Sequence, residues 1–240
     1  MAAIDEENRL REKYRTIYRK LEDAYGHPQW RQHLPPIDEL VSTILSQSTS
    51  DINRDRGFYA LKERYPQWAD LLDAPVEDII ETIRPAGLAN QKGPRIQGAL
   101  RFIVAQRGEL SLDFLADMPL DEARDWLIQI KGVGIKTASI VLLFAFGRPL
   151  FPVDTHVHRI TKRLGLIGPK VSAEKAHYLL EEIGDPSTFY ALHLNLIQHG
   201  RTVCLARNPH CERCVLQEDC DYYQALKAGS GYPHGEERSE

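Results

Sequence analysis

Apolar residues recur at intervals of three and four along most of the chain, which is the pattern of amphipathic α-helices. The clearest example runs from Tyr14 to Tyr25 and should end at Gly26–Pro28, where glycine and proline interrupt the pattern. Further helices are predicted after Pro36, between Ser50 and Tyr65, after Pro75, from Ile96 to Gly108, after Pro119, from Val153 to Leu164, after Ser172 and from Phe189 to Ile197. No segment alternates apolar and polar residues as a half-buried strand does, so the predicted fold class is all-α.

One predicted helix differs from the others because it is apolar on every face. It has the sequence TASIVLLFAF and covers residues 137–146. A helix without a polar face is normally buried, so we expect the other helices to pack around this one. At the opposite extreme, residues 226–240 are polar and rich in glycine, and we predict that they form a disordered tail.

The composition is that of a soluble globular protein, with 42% hydrophobic and 27% charged residues among 240. That length supports a substantial core, in one large domain or two smaller ones. No apolar run is long enough to span a bilayer, and the N-terminal residues lack the apolar segment of a signal peptide, so we expect a cytoplasmic protein and no membrane partner. A monomer is the default expectation. The net charge of −4 does not exclude a polyanionic partner, because a local basic face is enough to neutralise a few phosphates.

Two glycines separate the predicted helices on either side of residues 130–136, which read IKGVGIK. Gly132 and Gly134 permit a tight turn that leaves backbone N–H groups free at the start of the following helix. Such groups bind phosphate oxygens, and the helix dipole favours the same charge. Val133, between the glycines, would point inward and anchor the turn. A simple connection between two helices would explain the glycines equally well.

Two residues near this turn have the chemistry of a catalytic site. Lys136 begins the apolar helix, and an amine acts as a nucleophile only when deprotonated, a form favoured by burial and by cations such as Lys131. Asp154 precedes a predicted helix, where its simplest role is that of an N-cap. A capped carboxylate also stays ionised and can stabilise positive charge on a sugar.

All four cysteines lie close together, with the spacing C-x6-C-x2-C-x5-C: Cys204, Cys211, Cys214 and Cys220. Clustered cysteines favour a metal centre over a disulfide framework. Zinc and a cubane iron–sulfur cluster both bind four thiolates, and the chemistry of the residues alone leaves the two open.

The order of these motifs resembles that of the endonuclease III DNA glycosylases. The similarity runs from about Pro35 to Cys220 and includes LSQSTSD at residues 45–51, PAGLANQK at 85–92 and the cysteine spacing. The resemblance implies two α-helical domains flanking a DNA-binding cleft. The first would be a six-helix barrel with the helix–hairpin–helix, residues 29–148. The second would be formed by both chain ends, residues 1–28 and 149–225, and would hold a 4Fe-4S cluster on the four cysteines, so metal analysis should find iron and sulfide.

The resemblance also implies the function of base excision repair on double-stranded DNA that contains damaged bases or abasic sites. The protein would be a bifunctional DNA glycosylase and AP lyase. Lys136 would displace an oxidised pyrimidine and form a Schiff base, Asp154 would be the catalytic aspartate, and β-elimination would nick the strand. If the source is bacterial, the protein would be associated with the nucleoid.

Removing a base from duplex DNA requires its extrusion, and protein side chains should fill the gap. Leu88 is predicted to do so together with Gln47 or Ser48, while Lys92 and Arg95, beside Gly93, are interpreted as a second phosphate contact. The full set of predicted DNA contacts is Gln47, Ser48, Leu88, Lys92, Lys131, Gly132, Val133, Gly134, Ile135, Thr155, His156 and Arg207. Two alternatives remain: a mismatch-specific monofunctional glycosylase, which usually lacks the lysine, and a non-catalytic helix–hairpin–helix module that binds DNA.

Overall fold

Twelve α-helices and no β-strand are found between Ala2 and Gly229, the range that this computed structural model describes. The predicted all-α fold class is therefore confirmed. The helices are α1 (Ala2–Tyr25), α2 (Pro36–Ser46), α3 (Asp51–Arg64), α4 (Asp70–Asp73), α5 (Val76–Thr82), α6 (Ala89–Arg107), α7 (Leu120–Ile128), α8 (Ile135–Phe146), α9 (Thr155–Arg163), α10 (Ala173–Ile183), α11 (Phe189–Thr202) and α12 (Asp221–Lys227). None of the described helices combines the length and the apolar character that crossing a bilayer requires.

The chain divides into two compact units, one of residues Arg31–Arg148 and one of Met1–Trp30 with Pro149–Glu240. These limits are similar to the predicted domains, 29–148 and 1–28 with 149–225. The predicted tail, 226–240, lies mostly outside the described residues, although its first two residues, Leu226 and Lys227, end α12.

The 31–148 unit is built around α8, the helix that the sequence marks as apolar on every face. Ala138, Val141 and Leu142 are completely buried, and α8 packs against α2 and α7. The prediction of a buried central helix is confirmed. Helix α6 packs on α5 at close range, since a Cβ atom on Gly93 would lie 2.8 Å from Ile80 Cγ1.

The second unit has its own core, into which α1 places Tyr14, Ile17 and Leu21. This is the apolar stripe predicted for the N-terminal helix, and α1 packs it against α10 and α11. The helix begins at Ala2, well before the predicted stripe, and Gly26 follows its end with a φ of 87°. Helix α9, which follows Asp154, packs against α11.

Candidate functional site

The glycine turn joins α7 to α8 and is held by its own backbone. Ile130 N–H donates to Leu127 O at 3.1 Å, and Val133 N–H donates to Ile130 O at 2.9 Å. Gly132 has a φ of 89°, a left-handed conformation that favours glycine. Gly134 is the N-cap of α8, whose first hydrogen bond runs from Ala138 N–H to Gly134 O at 3.0 Å.

The turn presents some predicted DNA contacts and buries another. Lys131, Gly132 and Gly134 are exposed, and Ile135 is half-buried at the start of α8. The first amides of a helix have no acceptor within it, so this end of α8 offers N–H donors to an anion. Val133 is only 4% exposed and its N–H is already bonded within the turn, so the prediction that it contacts DNA is wrong. Its side chain anchors the turn instead.

Lys136 is the second residue of α8 and follows the exposed turn directly. Its side chain is half-buried, while the next three residues, Thr137, Ala138 and Ser139, are buried. A lysine at this point lies between a solvent-facing anion site and an apolar helix. This placement matches the predicted nucleophile, whose role stays a prediction.

Lys92 does not lie where the sequence predicted. The residue is 0% exposed, and its Nζ donates hydrogen bonds of 2.7 Å to Leu45 O and to Ala86 O. Burial lowers the pKa of this amine. Because the ammonium group is buried and donates hydrogen bonds to two carbonyl groups, it cannot contact a phosphate, and the predicted DNA contact is wrong. Gly93, the next residue, packs against Ile80 of α5.

The two loops with the predicted gap-filling residues each contain a left-handed residue that is not glycine. Ser48 has a φ of 50° and Leu88 a φ of 49°, which are uncommon values for residues with a side chain. Ser48 is exposed, and Leu88 is 49% exposed although it is a large apolar residue. Such conformations concentrate at functional sites. Gln47 is half-buried, and its Nε2 donates to Gly132 O at 3.3 Å.

Asp154 is the N-cap of α9, as predicted, and its Oδ1 accepts a 2.7 Å hydrogen bond from Val157 N–H. Thr155 is exposed at the start of the helix and His156 is half-buried. Burial lowers the pKa of His156, and its Nδ1 lies 3.1 Å from Arg159 Nη2. A guanidinium group only donates, so Nδ1 accepts and the neutral ring carries its proton on Nε2.

The four cysteines line a single cavity in the same unit, together with Arg163, Tyr222 and other residues of the C-terminal segment. Burial raises the pKa of the Cys211 and Cys214 thiols and raises that of Cys220 to about 11. Thiols of this kind ionise when they bind a metal. Four such side chains around one space fit a cluster held by four thiolates. Arg207 is exposed in the loop between the first two cysteines.

Sequence reasoning missed the two arginines of α9 that hold this cysteine segment. Arg159 Nη2 donates to Gly200 O at 3.1 Å and to Cys204 O at 2.8 Å. Arg163 Nη1 donates to Leu205 O at 2.7 Å and to Cys204 Sγ at 3.3 Å. Their spacing of four residues on one helix places both on one face, which is the signal that could have identified them.

The helical fold and the glycine turn that joins α7 to α8 are those of a helix–hairpin–helix protein. The cavity lined by the four cysteines has the side chains that a cluster with thiolate ligands requires. The family model described as HhH-GPD superfamily base excision DNA repair protein matches residues 41–186. A second model, the iron–sulfur binding domain of endonuclease III, matches residues 204–220.

Comparison with individual proteins narrows this class. The chain is 33% identical to Endonuclease III of Thermotoga maritima over 84% of this chain and 90% of that protein. A solved non-covalent complex of endonuclease III with DNA is 28% identical, with a TM-score of 0.77 over 91% of this chain and 98% of that one. A trapped covalent intermediate of endonuclease III with DNA has the same identity and TM-score over 90% and 98%. The chain therefore belongs to the endonuclease III family of base excision DNA repair proteins, and the segment that contains its four cysteines is an iron–sulfur binding domain.

Proposed function

We propose that this protein is a bifunctional DNA glycosylase and AP lyase that removes oxidised pyrimidines from duplex DNA. The observation that carries the proposal is the position of Lys136, half-buried at the mouth of α8, directly after a turn that offers backbone N–H groups to a phosphate. A relative of this chain has been captured as a covalent intermediate with DNA, which supports a nucleophile in the same fold.

The chemistry assigned to Lys136 is covalent catalysis at the damaged nucleotide. Its deprotonated Nζ forms a bond to the sugar C1′ as the glycosidic bond breaks, and the base leaves with the electron pair of that bond and takes up a proton. Opening of the sugar ring gives the Schiff base. Loss of a C2′ proton then expels the 3′ phosphate, and water releases the sugar fragment from the enzyme.

Asp154 supports this chemistry as a carboxylate that is held rigidly by its cap to Val157 N–H. Its negative charge stabilises the positive charge that develops on the sugar as the base departs. The four cysteines would hold the iron–sulfur cluster, which would fix the fold of the C-terminal segment, and the exposed Arg207 of that segment would then contact the DNA backbone.

Borohydride trapping tests the covalent step. The unaltered protein, incubated with a duplex that contains thymine glycol, should give a covalent adduct on reduction, and Lys136→Gln should give none. The matched control is Lys131→Gln, which removes the other lysine of the turn and should still be trapped, with weaker binding. An undiminished adduct in Lys136→Gln would overturn the assignment of the nucleophile.

Excision and strand-nicking assays on defined duplexes separate the alternatives. A mismatch-specific glycosylase would excise from a G·T or an A·8-oxoguanine duplex and leave thymine glycol and dihydrouracil intact. A non-catalytic module would shift the mobility of an abasic duplex without nicking it. Either result would refute the proposed activity.

A further inference from the structure

Most of the predicted DNA contacts lie in or beside three loops of the 31–148 unit, and the hydrogen bonds of Gln47 join two of these loops. Its Nε2 donates to Gly132 O in the glycine turn at 3.3 Å, and its Oε1 accepts from Arg95 Nη1 at 3.1 Å. Arg95 lies on α6, just beyond the loop that contains Leu88. One side chain therefore links the loop after α2 to the turn and to α6.

Glutamine is the residue type that this position requires. A backbone carbonyl only accepts hydrogen bonds and a guanidinium group only donates them, so the linking side chain must donate on one side and accept on the other. The carboxamide of Gln47 does both at once. Glutamate could pair with Arg95 but not with Gly132 O, and methionine could pair with neither.

Arg95 also packs directly on the turn. A Cβ atom on Gly132 would lie 2.9 Å from Arg95 Cδ and 3.1 Å from Arg95 Cγ, so the absence of a side chain lets the arginine approach. The loop stems have a second link, because Lys92 donates to Leu45 O before one loop and to Ala86 O before the other. Gln47 would have to give up both of its bonds to enter a DNA duplex.

Ser48, the next residue, has the opposite character. It is exposed, and its left-handed backbone resembles that of Leu88 in the other loop. We propose that Gln47 is a positioning residue that fixes this loop directly to the glycine turn and to Arg95 on α6, and that Ser48 is the residue that enters the gap beside Leu88. This inference rests on the proposed function, since it names which residues serve base extrusion.

A double-mutant cycle tests the positioning role. Gln47→Ala and Arg95→Ala should each lower kcat/KM for thymine glycol by about tenfold. The double variant should lose no more than either single variant, which corresponds to a coupling free energy of ~1.4 kcal/mol between the two side chains. Arg95→Lys keeps a donor for Gln47 and should recover most of the activity. The matched control is Arg101→Ala, which removes another arginine of α6, one bonded to Leu72 O at 2.8 Å, and should leave kcat/KM unchanged.

The gap-filling residue is tested with a duplex that carries a tetrahydrofuran abasic-site analogue opposite 2-aminopurine. Ser48→Gly keeps the left-handed backbone at no cost and removes only the side chain. It should abolish most of the 2-aminopurine fluorescence change on binding, whereas Gln47→Ala should weaken binding and leave the change at saturation intact. The reverse pattern, with multiplicative losses in Gln47→Ala and Arg95→Ala, would show that Gln47 itself enters the duplex and would overturn the proposal.

Hydrogen exchange without DNA keeps this test separate from the proposed function. Residues 46–50 and 131–134 should exchange faster in Gln47→Ala and Arg95→Ala than in the unaltered protein, even if the protein excises no lesion. Unchanged exchange in both segments would refute the link. Failure of the unaltered protein to bind or cut any lesion duplex would refute the proposed function alone.

Discussion

The buried amine of Lys92 gives the sharpest test of how the loops are supported. Replacing Lys92 with methionine keeps the length of the side chain and its apolar stem but removes both hydrogen bonds from Nζ. The carbonyls of Leu45 and Ala86 would then lose a charged donor, and a buried acceptor left without a partner costs ~1–3 kcal/mol. Removing a buried charge offsets part of this loss. We expect a net destabilisation of ~2–3 kcal/mol.

For a chain of this size the expected loss corresponds to a fall in Tm of roughly 5–10 °C. Thermal unfolding followed by circular dichroism measures it, and hydrogen exchange should rise in the segments around Leu45 and Ala86. The matched control is Lys131→Met, which removes the same charge from an exposed position and should change stability by no more than ~0.5 kcal/mol.

The salt dependence of DNA binding should distinguish the two lysines in the opposite way, with an effect in Lys131→Met and none in Lys92→Met. If Lys131 contacts a phosphate, its loss should reduce the slope of log affinity against log salt by about 0.9, and Lys92→Met should leave that slope unchanged. An unchanged Tm in Lys92→Met, together with a reduced salt slope, would refute the reasoning, because it would place the amine in solvent against a phosphate.

Two further predictions concern carboxyl groups. Asn is as good an N-cap as Asp, so Asp154→Asn should keep the stability of the unaltered protein, whereas Asp154→Ala should lower the free energy of unfolding by ~1 kcal/mol. Both variants should excise thymine glycol slowly in single-turnover assays. Full activity in Asp154→Asn would show that the charge is not used. Glu39 is 7% exposed, and burial raises the pKa of its carboxyl group to about 7. The folded state therefore binds the proton of this carboxyl more tightly than the unfolded chain does, and stability is lost as the pH rises through about 7. Urea unfolding should therefore show Glu39→Gln to be more stable than the unaltered protein by ~1–3 kcal/mol at pH 8 but not at pH 4, and an equal difference at both pH values would contradict this origin.

The features that sequence predicted well are those fixed by neighbours along the chain. The burial of α8 follows from a run of residues without a polar face, and the capping of α9 by Asp154 follows from residue type and the helical pattern behind it. A helix was also predicted to start near Ser50, and Ser50 caps α3 by accepting from Asn53 N–H. Each of these signals lies within one or two helical turns of its effect.

The features that sequence missed depend on contacts between distant segments. Lys92 bonds to a carbonyl 47 residues away, and nothing in its own surroundings distinguishes it from an exposed lysine beside a glycine. The glycine is present for packing, since Gly93 meets Ile80 on α5. Helix α6 also begins at Ala89, seven residues before the predicted Ile96. The left-handed Leu88 precedes it, and Pro94 lies within the helix.

The misassigned residues show how the motifs that are predicted to contact DNA should be interpreted. Two of these motifs combine a residue exposed to solvent with a neighbour that is tied to the protein: Ser48 with Gln47, and Leu88 with Lys92. A loop that must hold an exposed side chain in a strained conformation needs such support, because the strain persists only where surrounding contacts determine it. Residue type alone assigns both members of each pair to DNA, since lysine and glutamine are common in phosphate and base contacts. Burial and hydrogen-bond partners separate them, and they assign to the protein interior two of the twelve contacts that the sequence predicted, Lys92 and Val133.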